Sequence, residues 1–255
     1  MKIISLQSGS NGNCIYVEAG GVRILFDAGI SGKRAQERLA AHGRNIGDVD
    51  AVVVSHDHID HSRCMGIYQR KFGLPIYVTP KTLAAAEMKY SLGEMTDIRH
   101  FQSGQVLRLG EVALETIPTP HDGVDGVAFV VDDGKHRLGI LTDLGHLFTG
   151  LDAVIGSLDG VLLESNYDGH MLDVGPYPEF LKARIKGPRG HISNIEAARL
   201  LLAAAQQRMR WACLAHLSED NNHPEVALRT HREILGTRLP LHVATRYGAG
   251  DVLDL

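Results

Sequence analysis

Short apolar runs alternate with turn-forming residues at the start of the chain, a pattern typical of β-strands joined by tight turns. This pattern predicts strands over Lys2–Gln7, Cys14–Glu18 and Val22–Asp27. The segments between them, Ser8–Asn13 and Ala19–Gly21, are rich in residues that form turns. We therefore expect strands to dominate the first part of the chain.

Strand-like and helix-like segments follow each other along the rest of the chain. Further strands are predicted over Ala51–Ser55, Pro75–Thr79, Val106–Leu109, Val112–Ile117, Val127–Val131, Leu138–Leu141, Val161–Glu164, Trp211–Ala215 and Leu241–Ala244. Helices are predicted over Gly32–Ala41, His61–Lys71, Pro80–Tyr90, Leu151–Ile155, Ser193–Arg208 and Pro224–Leu235. The order forms two similar blocks without a linker, which favours two packed sheets with helices outside. We therefore predict a single α/β domain over residues 1–255, a four-layer αββα sandwich.

The segment His56–His61 places three imidazoles and two carboxylates directly after the predicted strand Ala51–Ser55. A strand with four consecutive apolar residues is expected to be buried, so this segment begins at a rigid edge. The candidate ligands are His56, His58, Asp60 and His61. Histidine and aspartate bind divalent ions, and four ligands exceed what one tetrahedral site takes from so short a loop. The pattern favours two neighbouring metal ions over the alternative, an exposed histidine-rich loop.

Further histidine and aspartate residues appear where other predicted strands end. These residues are Asp27, His121, Asp143 and His216. Alone, an aspartate after a strand is usually a turn or a helix cap, and a lone histidine is usually a surface or core residue. Their occurrence together with the His56–His61 segment predicts a site on one rim of the sheets.

The composition of the chain bears on its substrate class and its cellular compartment. The 255 residues carry a formal net charge of −4, so there is no global electrostatic sign of nucleic-acid binding, although bound cations would add local positive charge. Fourteen histidines fit metal chemistry. The cysteines Cys14, Cys64 and Cys213 form no CxxC pair or disulfide framework, which favours a reducing compartment. Without a signal peptide or a membrane-length apolar run, we expect a cytoplasmic protein with no membrane partner.

The chain resembles the metallo-β-lactamase fold superfamily. Its HxHxDH motif corresponds to the segment His56–His61 and is preceded by a strand, as in that family. Asp27 corresponds to the first motif of the family, His121 to the third, Asp143 to the fourth and His216 to the last. The match extends from about residue 1 to residue 245.

This resemblance implies a site with two divalent ions, Zn²⁺, Mn²⁺ or Fe, and a bridging hydroxide as the nucleophile. The first ion would be bound by His56, His58 and His121, and the second by Asp60, His61 and His216. Asp143 would bridge the two ions, and Asp27 would orient a ligand imidazole. Asp60 and His191 would be catalytic. His191 resembles the histidine that contacts the scissile phosphate in RNase Z-type phosphodiesterases.

Several stretches resemble the YycJ (WalJ)-type subfamily more closely. They are Ser8–Asn13, Glu164–Asp168, Gly175–Pro178, Gly190–Asn194 and Ala215–Asn222. The resemblance implies a DNA exonuclease with 5′→3′ polarity and a role in DNA repair. Tyr167 replaces the usual histidine of the Glu164–Asp168 stretch, which we expect to alter the rim of the site rather than a metal ligand.

Substrate contacts are expected from a few polar and basic residues near these motifs. Asn13 and Asn194 are candidates for hydrogen bonds to the substrate, and Arg184 and Arg189 belong to the basic run 182–189 before His191. Such a run suits a phosphate backbone, although a solvated helix face is the alternative interpretation.

Two other functions compete with DNA hydrolysis. The same metals would serve a hydrolase of a small molecule such as a thioester, a lactone or a cyclic nucleotide, or a regulatory module without turnover. The basic run and His191 favour DNA. The acidic net charge and the short spacing from Asp143 to His216, which leaves no room for a cap domain, weaken that interpretation.

Overall fold

The computed structural model describes residues 1–205 and 208–255. Its strands are, in chain order, β1 (Lys2–Gln7), β2 (Cys14–Ala19), β3 (Val22–Phe26), β4 (Ala51–Val53), β5 (Ile76–Val78), β6 (Ile98–His100), β7 (Val106–Leu109), β8 (Val112–Pro118), β9 (Val127–Asp132), β10 (Arg137–Leu141), β11 (Gly160–Glu164), β12 (Trp211–Ala215), β13 (Leu241–Val243) and β14 (Leu253–Asp254). Its helices are α1 (Gly32–Ala41), α2 (Ile59–Ser62), α3 (Met65–Phe72), α4 (Pro80–Lys89), α5 (Leu151–Gly156), α6 (Gly169–Val174), α7 (Glu179–Lys186), α8 (Asn194–Ala204) and α9 (Pro224–Leu235). A 3₁₀ turn covers Ile46–Asp48.

Within the described residues, the strands form two sheets of seven strands each. The first has the order β14-β1-β2-β3-β4-β5-β6 and the second the order β13-β12-β11-β10-β9-β8-β7. In each sheet a run of antiparallel strands is followed by parallel strands, from β3 to β6 and from β10 to β13. Parallel strands end at the same edge of a sheet, so the residues that follow them are brought together.

Both faces of the sheets are buried. Phe26 of β3 and Phe129 of β9 meet in the core between the sheets, with ring centroids 5.1 Å apart. The opposite face of the first sheet, with Leu25, packs under α1 and α3, and that of the second sheet, with Leu163, packs under α5 and α8. This arrangement confirms the predicted αββα sandwich, because strands with apolar residues on both faces need helices as an outer layer.

Some element boundaries differ from the prediction. The helix predicted over His61–Lys71 is divided into α2 and α3, because the N–H of Cys64 donates to the carbonyl of Ala28 at 3.0 Å. The helix predicted over Ser193–Arg208 is α8, and positions 206 and 207 of that prediction lie outside the described residues.

Besides the 3₁₀ turn, two strands and two helices of the described residues were not predicted. They are β6, β14, α6 and α7. The two strands contain three and two residues, which is too short for a recognisable alternation. The two helices flank the segment Gly175–Pro178, whose glycine and prolines favour a loop. None of the helices in residues 1–205 and 208–255 is long and apolar enough to cross a bilayer.

A candidate metal centre at the strand ends

The residues predicted to bind metal meet at one edge of the two sheets. The loop after β4 provides His56 and His58 and leads into α2, which provides Asp60 and His61. The remaining three follow strands of the second sheet: His121 after β8, Asp143 after β10 and His216 after β12. Each side chain is therefore placed by the segment that follows a strand end.

The donor atoms form overlapping groups, and two groups of three share no residue. The donor atoms of His56, His58 and His121 all lie within 4.8 Å of one another, as do those of Asp60, His61 and His216. These are the two sets that the resemblance implied for the first and the second ion. Zinc and other divalent ions are commonly held by three such protein ligands plus water or substrate.

Asp143 lies between the two groups. Its Oδ1 is 3.5 Å from His121 Nε2, and its Oδ2 is 3.2 Å from His61 Nε2. One carboxylate therefore faces a histidine of each group, as a bridging ligand would.

Three residues of the site have an unusual backbone conformation. Asp27, Asp143 and His216 have φ of 65°, 56° and 54°, and among the described residues only Asp125 joins them as a non-glycine residue with positive φ. This left-handed region is uncommon for residues other than glycine, and aspartate and histidine are among those enriched there. The sharp turn at each strand end directs the side chain towards the cluster, and such strain is typical of functional sites.

Hydrogen bonds at Nδ1 orient two of the imidazoles. His61 Nδ1 donates to Asp27 Oδ2 at 2.7 Å, and the other oxygen of Asp27 accepts from the N–H of Ser55 at 2.8 Å. His121 Nδ1 donates to the carbonyl of Gly190 at 2.8 Å. In both imidazoles the bond at Nδ1 leaves Nε2 on the side of the cluster, and the orienting role of Asp27 stays a prediction.

The donor set fits divalent cations. Among the described residues, His56 Nε2 and Asp143 Oδ2 are buried without a hydrogen-bond partner, which is costly unless an ion or water binds them. Burial and, to a smaller extent, the neighbouring imidazoles lower the pKa of His56. The same causes lower the pKa of His58 to about 4. Burial would raise the pKa of Asp143, but the imidazoles of His216 and His61 lower it. Burial would lower the pKa of His61 and His216, but Asp143 and the other carboxylates raise it, for His216 to about 10. Metals bind neutral imidazoles and ionised carboxylates, so metal binding would displace protons from these two histidines.

Glu164, for which no role was predicted from the sequence, lies in the site. This residue ends β11, is fully buried, and accepts a hydrogen bond from His191 Nδ1 at 2.6 Å through Oε1. Its Oε2 accepts from the N–H of Leu144 at 3.0 Å. Burial alone would raise the pKa of Glu164, but the charge and hydrogen bond of His191 lower it. An acid at a strand end, the context of Asp27 and Asp143, was the available signal.

Asn13 supports the ligands. Its Nδ2 lies 3.2 Å from Asp60 Oδ2 and 2.9 Å from His61 Nε2, while its Oδ1 accepts from the N–H of Gly9 at 2.9 Å. Its own N–H donates to the carbonyl of Asp60 at 2.7 Å, and the chain passes so closely here that a Cβ on Gly29 would lie 1.6 Å from that carbonyl oxygen. Asn13 thus holds α2 in place rather than extending towards a substrate.

Asn194 does not fit the substrate contact expected of it. Its side chain is buried, and its Oδ1 accepts from Ser165 Oγ at 2.6 Å and from Asn222 Nδ2 at 2.9 Å. These bonds fix the start of α8 instead. Tyr167, expected at the rim, is also buried, and burial raises its pKa to about 12.

The candidate ligands lie beside a cavity of about 270 Å³, called here the metal-centre pocket. Its lining includes His58, Asp60, His121, Asp143, His191 and His216, together with Asp122, Arg184 and Ser218. The two residues predicted to be catalytic, Asp60 and His191, therefore face the same space.

Most of the predicted basic run is paired with acids. Lys182 contacts Glu179 at 3.1 Å, Lys186 contacts Asp173, and Arg184 contacts Asp122. Arg189 is exposed, and its carbonyl accepts from the N–H of Asp122 at 3.2 Å. Arg184 is thus the basic residue of the run that lines the metal-centre pocket.

Comparisons with known proteins agree with this arrangement. A model of the metallo-beta-lactamase superfamily matches residues 8–163. The chain is 34% identical over 252 residues to exodeoxyribonuclease YycJ of Bacillus anthracis, covering 98% of this chain and 92% of that protein. It is 35% identical over 233 residues to exodeoxyribonuclease WalJ of Streptococcus pneumoniae, covering 90% and 86%. The metallo-beta-lactamase fold protein YhfI of Bacillus subtilis superposes with a TM-score of 0.74 at 18% identity, covering 99% and 98%, a likeness of fold alone.

Proposed function

Because the chain belongs to the metallo-beta-lactamase superfamily and is an enzyme of the hydrolase class, we propose that it is a dinuclear phosphodiesterase that removes nucleotides from DNA ends. Polarity from 5′ to 3′ and a role in DNA repair are part of this proposal. The observation that carries it is the position of Asp143 between two groups of three ligands, beside the His191–Glu164 pair.

The protein's own residues supply binding and proton transfer. His56, His58 and His121 would hold one ion, Asp60, His61 and His216 the other, and Asp143 both. Two divalent ions at this position would lower the pKa of a shared water and offset the charge of the phosphate. Mixed nitrogen and oxygen ligands are compatible with Zn²⁺, Mn²⁺ or Fe.

His191 is the group that we assign to the leaving oxygen. Its Nδ1 donates to Glu164, so Nε2 is the atom available to the metal-centre pocket that His191 lines. The carboxylate of Glu164 accepts from Nδ1 and orients the ring, so that Nε2 can donate a proton to the leaving oxygen as the phosphorus–oxygen bond breaks. Arg184, at the edge of the same pocket, is available to bind a phosphate oxygen.

A second function is favoured by the charge distribution. Three cations of the basic run are paired with acids, and the metal-centre pocket has a volume of only about 270 Å³. Both features suit a small-molecule substrate such as a thioester, a lactone or a cyclic nucleotide.

The deciding experiment uses protein loaded with Mn²⁺ or Zn²⁺. It is incubated with end-labelled duplex DNA, with and without a 5′-phosphate, and in parallel with a thioester, a lactone and a cyclic nucleotide. We expect mononucleotides to be released from the DNA, starting at the 5′ end. Intact DNA together with cleavage of a small ester would replace the proposal with the second function.

A further inference from the structure

A second cavity lies beside the metal-centre pocket. It has a volume of about 570 Å³ and is called here the side cavity. Three segments form it: the connection 217–224 between β12 and α9, the segment 243–248 at and after the end of β13, and Ser8 after β1. The first of these segments directly follows the candidate ligand His216.

The lining of the side cavity combines an apolar floor with an aromatic rim. Leu217, Pro224 and Val243 contribute apolar side chains. The ring of Tyr247 stands at the rim, 71% exposed, and its hydroxyl donates to Glu219. The carbonyl of Tyr247 accepts from Arg38 Nη2 at 3.0 Å, so the ring is anchored from both ends of the residue. A flat, exposed and anchored ring is suited to stacking against another ring.

The side cavity adjoins the metal-centre pocket. Ser218 lines both spaces. Ser8, which lines the side cavity, accepts a hydrogen bond from the N–H of His216 at 2.8 Å through Oγ. A ligand in the side cavity therefore lies next to the reacting centre.

The volumes of the two spaces fit different parts of one substrate. Pockets for small molecules typically have about 300–1,000 Å³. The metal-centre pocket, at about 270 Å³, is lined by the candidate metal ligands, which would hold a phosphate group, whereas the side cavity, at about 570 Å³, offers about twice that volume. When the phosphate of a nucleotide lies in the metal-centre pocket, its sugar and base need a neighbouring space.

We propose that the side cavity binds the nucleobase of the nucleotide whose phosphate lies in the metal-centre pocket. The base packs on Leu217 and Val243 and stacks on Tyr247. This inference rests on the proposed function and adds the reason why the site takes nucleotides rather than other phosphodiesters. Stacking on an aromatic side chain tolerates every base, as an exonuclease requires.

The test compares two ligands that differ only in the base, 2′-deoxyadenosine 5′-monophosphate and 2-deoxyribose 5-phosphate. Their binding to the metal-loaded protein is measured by calorimetry. Tyr247→Ala removes the ring, and Gly248→Phe fills the cavity, since a Cβ at Gly248 would meet only Thr245 Oγ1, at 4.0 Å, among the described residues. Val106→Ala, a truncation of a 55% exposed side chain on β7, is the matched control.

We expect the native protein to bind the nucleotide about tenfold more tightly than the sugar phosphate, as stacking of one base predicts. Both side-cavity variants should reduce this ratio to about twofold or less without weakening the sugar phosphate, and the control should keep it. Equal binding of the two ligands, or an unchanged ratio in both variants, overturns the proposal. So does tight binding of a hexanoyl thioester that both variants abolish, which would assign the cavity to an acyl chain.

A DNA-degradation assay on the same preparations separates this inference from the proposed function. Degradation of DNA together with equal binding of the nucleotide and the sugar phosphate would reject the base site alone. Tighter binding of the nucleotide without degradation of DNA would reject the nuclease and leave a nucleotide-binding cavity.

Discussion

Arg184 and Asp122 form an ion pair at the edge of the metal-centre pocket, with 2.6 Å between Arg184 Nη2 and Asp122 Oδ2. Arg184 comes from α7 and Asp122 from the loop that also carries His121. The other oxygen of Asp122 lies 3.3 Å from His58 Nε2. Asp122 therefore connects a candidate substrate-binding cation to a candidate metal ligand.

The two members of this pair should have separable roles. Asp122→Asn should weaken metal binding about 10- to 100-fold, because the carboxylate that faces His58 is replaced by an amide. Arg184→Ala should leave metal affinity within about twofold and raise KM for DNA, since the mostly exposed Arg184 side chain pairs with Asp122 rather than with a candidate ligand. Chelator competition and steady-state kinetics measure the two effects. Equal loss of metal in both variants would show that Arg184 acts through the ligands instead.

Asp143→Asn tests the bridging position. Asparagine tolerates the left-handed backbone at this position, so the fold should be retained while a charged ligand is lost. We expect metal content to fall and hydrolysis to drop by at least about 100-fold, since the chemistry depends on the bound ions. Asp125→Asn makes the same change at another left-handed aspartate, with φ of 54°, and should change neither property. A fully metal-loaded, active Asp143→Asn protein would contradict the bridging role.

Glu164 and His191 should act as a unit. His191→Ala and Glu164→Gln should each reduce kcat by roughly 100-fold, the lower end of what a general acid contributes. Because Glu164 acts through His191 Nδ1, the double variant should be little worse than His191→Ala alone. The measurement is kcat in a double-mutant cycle with metal content held equal. Additive losses would mean that Glu164 affects the site in another way.

Asp159 provides a test of stability away from the site. Its carboxylate accepts from Arg208 Nε at 3.1 Å and Nη2 at 2.8 Å, and from the N–H of Arg137 at 2.8 Å. Burial alone would raise the pKa of Asp159, but these bonds hold it below its ordinary value of 3.8. Asp159→Asn should therefore lower the free energy of unfolding by about 1.5 kcal/mol near neutral pH.

The pH dependence of that difference follows from the sign of the pKa shift. A carboxylate with a lowered pKa in the folded protein stabilises fully above its ordinary pKa, and the stabilisation is lost as pH falls through the lowered value. Urea unfolding of the native protein and of Asp159→Asn should thus differ most near neutral pH and converge below 3.8. Asp251→Asn, at an exposed carboxylate, should show no such trend. A difference that grows as pH falls would refute the assignment.

The sequence predicted features that depend on local patterns. Buried strands such as β4 and β12 were predicted because their apolar runs are continuous, and the HxHxDH spacing predicted which side chains would gather after β4. Features that depend on distant partners were not predictable. The pairing of Lys186 with Asp173 and of Arg184 with Asp122 depends on how α7 lies against other segments. Glu164 has the same local context as Asp143, and only its contact with His191 distinguishes it from a cap.

The left-handed turns at Asp27, Asp143 and His216 restrict how this scaffold can be re-engineered. Most residue types would incur a penalty of about 1–2 kcal/mol in that conformation, and β-branched residues more. Exchanging Asp143 for glutamate or His216 for cysteine would thus strain the backbone as well as change the ligand. A designer who wants a different ion preference has to reshape the ends of β10 and β12 together with the ligands.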